Sequence, residues 1–258
     1  MTTVLPHSAV VHQHLRAYLA DLGDEVAACV CTLPSISPFR TVFKTSLSAY
    51  AVLSVFARRE LVLVRAAAGI ARRLPLLLAV RQVSLAYVEL RRFLEVVIWF
   101  PYFREHGLEW EEFLRTPLIG AIRDPEKPIA QAAHQGVGWY LAYSKERFSR
   151  ESSGLAAGAV EALSRLYPKL CAHVHAAYGA TRGDLSKPFD NCSSSAIGVF
   201  ARLQRETLAA GCLTVAAARP DGMARLDAVE RAWLDWLIGT ARSKKLRSTA
   251  FGHFDHAP

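Results

Sequence analysis

Between Leu166 and Gly179 the chain reads LYPKLCAHVHAAYG. A free imidazole titrates near pH 6.5, so either histidine can give or take a proton under neutral conditions. Lys169 stands six residues before His175. An imidazole that can move a proton and an ammonium that can hold negative charge, close together on one segment, raise the question of a reactive site. On an ideal helix Leu163, Leu166, Leu170, Val174 and Ala177 form one apolar stripe, with His173 at its edge and expected to be largely buried. His175 points nearly the other way, toward the side of Cys171. Against chemistry stands the plain alternative that a helical histidine packs or is solvated.

Arg91, Arg92 and Glu95 form a second group, in YVELRRFLEVV. The arginines can stabilise negative charge, and Glu95, one turn on, can orient one of them. With Glu89 they also make an ordinary intrahelical ion-pair face, worth about 0.2–0.5 kcal/mol per pair. The histidine pairs near the ends, His12 with His14 and His253 with His256, lack the carboxylate pattern of a metal site. Loop serines 193–195 lack a nucleophile-elbow context, and no glycine motif for cradling phosphates occurs. Five cysteines at irregular spacing, without a CxxC, read as free thiols. No metal or cofactor is expected.

The elements that must position these groups follow a helical period nearly throughout. Helices are expected over 8–32, 41–73, from Pro75 to about Phe103, and over 109–115, 129–148, 154–178, 194–217 and 222–242. PSISPF (34–39) ends the first, Pro101 kinks or ends the third, and Gly179 stands where a C-cap glycine belongs. ARPDG (218–222) is the last turn, and Trp233 and Trp236 pack a terminal helix onto the core or a partner. The architecture is an all-α bundle of long antiparallel helices in a single domain over 1–242. Its N-terminal helices cover 8–73, the bundle about 75–240, a small insertion lies around 105–128, and 243–258 is a basic, mobile tail. The helix at 75–103 is apolar all round, as a central helix is. It carries more hydrophobic surface than one partner helix covers, so a homodimer or a partner subunit is expected.

At 258 residues and 52% hydrophobic, the chain can bury a sizeable core, and 21% charge argues against extensive disorder. Its longest apolar stretches are broken by Arg65, Arg72, Arg73 and Pro75 or are too short, so no membrane span is expected. The N-terminus lacks the order of a secretory signal, which implies a cytoplasmic protein. A net charge of +8 suits RNA, DNA or an anionic surface. Arg165, Lys244, Lys245 and Arg247 are the candidates for nucleic-acid contact, although an Arg-rich composition alone also produces such an excess.

Two segments together, YVELRRFLEVVIWFPYFREHGLEWEEFL (87–114) and LSRLYPKLCAHVHAAYG (163–179), resemble the HEPN-like all-α superfamily of bacterial proteins over roughly 75–240. That superfamily ends one bundle helix with a pattern close to Leu-Ser-x-x-Val-His, matched here by Leu170, Cys171, Ala172, His173, Val174 and His175. Many members are RNases of toxin, abortive-infection or CRISPR-linked defence systems that pair two copies of Arg-x(4–6)-His across a dimer. This chain departs from the motif at its cation: Lys169-x5-His175 has the spacing, with a lysine that lacks the planar guanidinium fork, and Arg165 lies too far upstream. The resemblance implies a HEPN-like protein of a bacterial defence or toxin system that binds RNA or serves as a subunit of a larger assembly. Two alternatives stay open. One is a metal-independent endoribonuclease using His175 with Lys169, Arg91, Arg92 and Glu95; the other is a helical interaction module with no nucleic-acid role.

Overall fold

The computed structural model describes residues 37–57, 62–79, 82–110, 136–149, 154–181 and 194–252. Among them there is no strand, and the fold is an all-α bundle. Its helices are α1 (Ser37–Phe56), α2 (Val62–Ala79), α3 (Val83–Glu105), α4 (Val137–Ser149) and α5 (Leu155–Thr181). They continue with α6 (Ser194–Ala218), the single turn α7 (Pro220–Met223), α8 (Ala228–Ile238) and α9 (Thr240–Gly252). The helix expected at 8–32 and most of those at 109–115 and 105–128 lie outside the described residues.

Prolines mislead about where the helices end. Pro38 sits in the first turn of α1, where its missing N–H breaks no bond, so PSISPF contains a helix start. Pro75 does not open a helix but lies buried inside α2. An interior proline costs about 3 kcal/mol; here the burial of Leu74, Pro75 and Leu78 offsets it. The break falls later, where the Gln82 N–H donates to the Leu77 carbonyl at 2.7 Å before α3 starts. Pro101 likewise lies within α3, which runs on to Glu105 because Phe100, Tyr102 and Phe103 are all buried. Gly179 falls inside α5, which ends at Thr181, and Pro168 is also internal to it.

The 222–242 helix is split. Asp227 caps α8 by a reciprocal capping box with Glu230, and Gly239, at φ +89°, turns the chain into α9. Only glycine takes that backbone without strain. The stretch expected as a free tail is helical to Gly252, with Ser243 and Leu246 buried on one side.

Side-chain pairs give the helix directions. Arg91 and Tyr87 of α3 meet Tyr167 and His173 of α5, so those two helices run antiparallel. Tyr87, Phe93 and Arg104 meet Phe200, Gly211 and the Ala218 carbonyl of α6 in ascending order. Val42 and Ser46 of α1 meet Gln204, and Phe56 meets Gly222. Thus α6 lies parallel to both α1 and α3, and the bundle is not uniformly antiparallel. The α6 backbone comes so close to α3 that a Cβ on Gly211 would stand 2.5 Å from the Phe93 ring. Helix α3 packs on α2, α4, α5 and α6. Neighbours in the same chain therefore cover much of its apolar surface, while Leu85 stays exposed and Val88, Val96 and Trp99 are only partly buried.

Candidate functional site

Helix α5 carries its chemistry on two opposite sides. Tyr167 and Lys169 stand about 160° apart on a helix turning 100° per residue. On the Tyr167 side, Arg91 Nε donates to Glu95 Oε1 at 3.0 Å and Arg91 Nη2 to the Tyr167 hydroxyl at 3.4 Å. The Tyr167 hydroxyl donates in turn to Glu95 at 3.3 Å. Burial works against the Arg91 charge, but Glu95 and Tyr167 outweigh it and raise the guanidinium's pKa. Burial, then the Glu95 charge, raises the Tyr167 phenol. Glu95 does orient Arg91, as expected, yet the result is a closed network with its charges matched. Arg92 points away and pairs with Glu89 at 2.8 Å, which also holds Arg73 at 2.9 Å.

The histidines part as helical spacing requires. His173 is only half-buried, stacked on the buried Tyr87 ring at 4.4 Å and 6°. Stacking on one face leaves the other accessible, which is why it falls short of the full burial expected. His175 is exposed, eight residues and so about 12 Å along α5 from Tyr167. It stands about 120° around the helix from Lys169. Imidazole, lysine and the Arg91–Glu95 pair therefore face three directions on this protein.

Lys169 belongs to a different assembly. With Arg165, one turn earlier, it lines a cleft of about 750 Å³ between α5, α6 and the α8–α9 turn. Among the described residues, Arg205 of α6 and Arg242 of α9 bring the cations around the cleft to four, and Glu206 is the single carboxylate lining it. The cleft is open because α5 contributes Gly158, Ala159 and Ala162 along its wall and α6 contributes Ala209 and Ala210. Leu166, Leu213 and Leu237 form its floor. Lys169, Arg205 and Arg242 make no ion pair with any described residue. Four like charges around one concavity, with a single acid among them, form a field that draws anions.

Beside the cleft, Arg205 lies over the Trp236 indole at 5.0 Å and Lys44 over the same indole at 4.6 Å. Burial, and then the Arg205 charge, lowers the Lys44 pKa. Lys244 and Lys245 are exposed on α9, while Arg247 is tied to Asp235 at 3.2 Å. Among the described residues no group of His, Cys, Asp or Glu could hold a metal ion, and no helix is long and apolar enough to cross a membrane.

Of the residues selected from sequence, Arg165 and Lys169 share the cleft, and their spacing of four was the visible signal. Arg205, Arg242 and Lys44 were missed, and Trp236 was singled out only as a packing residue. Each is a single polar or aromatic position on its own helix, and nothing local marks it until the helices pack. No family model matches the chain, and no curated protein or solved structure matches it either.

Proposed function

We propose that this protein binds RNA through the cleft between α5, α6 and α9 and does not cleave it. The observation that carries the reading is the unmatched positive charge of Lys169, Arg205 and Arg242, joined by Arg165, in one concavity. Phosphate groups are its natural counterions, and their engagement releases condensed cations from the nucleic acid. Cleavage would further need a proton-transfer group facing the same phosphate. His175 faces elsewhere, no other histidine among the described residues lines the cleft, and Glu206, the one described carboxylate on its wall, would have to serve alone as both base and acid. The setting in a bacterial defence or toxin system, as a HEPN-like subunit, rests on the resemblance of the 87–114 and 163–179 segments alone.

The test is titration of a labelled oligouridine with the purified full chain across a salt series. Affinity is expected to fall steeply with salt, and Lys169→Ala or Arg242→Ala each to reduce the slope by about one. Absence of binding at low salt would overturn the proposal in favour of a protein-interaction module. Metal-free degradation of total RNA on a gel, abolished in His175→Ala, would overturn it in favour of the endoribonuclease.

A further inference from the structure

The cleft has cations and an apolar floor but, among the described residues, no aromatic ring. The ring lies just outside it. Trp236 is half-buried, whereas Trp233, one turn away on α8, is wholly buried in the core. A tryptophan kept partly accessible beside its buried neighbour is available for another contact. Its indole is covered by two cations, Lys44 from α1 and Arg205 from α6. Neither makes an ion pair with any described residue, and each repels the other. Arg205 also lines the cleft, so the indole and the cleft share a boundary residue.

Resting on the reading of the cleft as an RNA site, we infer that Lys44, Arg205 and Trp236 form its stacking end, where one unpaired base lies on the indole. A strand leaving the cleft past Arg205 brings a phosphate between Lys44 and Arg205 and relieves their repulsion. The cations then move from the ring to the phosphate, and a base takes the ring face. Such a base must be unstacked from its own neighbours, which single strands permit and duplexes do not. A lone aromatic with no polar readout of base edges accepts any base, because every base has a π face. The ligand class is therefore single-stranded RNA, preferred over duplex with little sequence preference.

The test compares oligouridine with an RNA duplex of equal length, both at low salt, on the full chain. Binding of oligouridine should quench tryptophan emission, and the amplitude should drop in Trp236→Phe, a substitution that keeps a ring in place and the fold intact. In Trp236→Leu the ratio of oligouridine to duplex affinity should fall by about five- to a hundred-fold, the range of one base–aromatic stack. An unchanged ratio, or equal quenching in wild type and Trp236→Phe, overturns the inference. If Lys169→Ala still weakens both probes in that case, the cleft remains an RNA site without a stacking end. If the wild type binds neither probe, the cleft reading falls and this inference with it.

Discussion

At the scale of the residue, what separates the groups on α5 is angle. His175 and Lys169 have the sequence spacing of a catalytic pair, but a helix puts them on different faces. His175→Ala is therefore expected to leave RNA affinity and urea stability unchanged within error. Lys169→Ala should weaken RNA binding without loss of fold, because its ammonium is exposed and makes no ion pair with a described residue. The Arg91–Glu95–Tyr167 network works in the opposite sense. Tyr167→Phe removes two long hydrogen bonds at a part-buried site. It should cost about 1 kcal/mol in urea denaturation while leaving RNA affinity intact. Loss of binding in Tyr167→Phe would place the site on the wrong side of α5.

At the scale of the element, two glycines in long helices should respond oppositely to the same substitution. In Gly211→Ala the new methyl meets Phe93 and Val97 of α3, so α3 and α6 must separate. Overpacking of this kind costs about 1–3 kcal/mol. At Gly158 an added Cβ meets nothing within 4 Å, and the residue lies on the cleft wall of α5. Gly158→Ala should stabilise by about 0.5–1 kcal/mol through helix propensity. Chemical denaturation of both variants checks the pair, and a neutral Gly211→Ala would contradict the close approach of α6 to α3. The α8 start offers a third measurement. Asp227→Ala removes the side-chain half of the capping box and should cost about 1 kcal/mol.

At the scale of the whole molecule, tyrosines gather at one end of the bundle. Tyr102 packs edge-on to Tyr140 at 5.4 Å and to Tyr143 at 5.1 Å, and Tyr143 donates to Glu105. Burial, then the charge of Glu109, pushes the Tyr140 phenol up to about 12. Burial, then the hydrogen bond to Glu105, does the same for Tyr143. A phenol raised in the folded state favours folding while it keeps its proton. That contribution is complete below the unfolded value near 10 and is lost as pH rises through about 12. Helical ellipticity should therefore decline above about pH 10, and less steeply in a Tyr140→Phe, Tyr143→Phe double variant. An equally steep decline in both proteins would count against this packing. On the acid side the sign reverses. The Arg219 fork on Asp221 is the largest influence lowering that carboxyl. Its stabilisation is present above about pH 4 and declines as pH falls through the depressed folded value.

Helical class, the apolar faces of the long segments, the divergence of His173 from His175, and the shared face of Arg165 and Lys169 are all consequences of a 3.6-residue period. The sequence alone therefore determined them. Helix ends were less legible. At Pro75 and Pro101 a local penalty of about 3 kcal/mol competes with core burial, and the neighbours that supply that burial come from elsewhere in the chain. The cleft was legible only in half. Arg165 and Lys169 lie on one turn, but Arg205 and Arg242 reach them only because α6 packs parallel to α3 and Gly239 turns α9 back toward α5. Charge density in a concavity depends on distances between helices far apart in sequence. Those distances, and with them the placing of Lys169 rather than His175 on the cleft wall, were decided by tertiary packing.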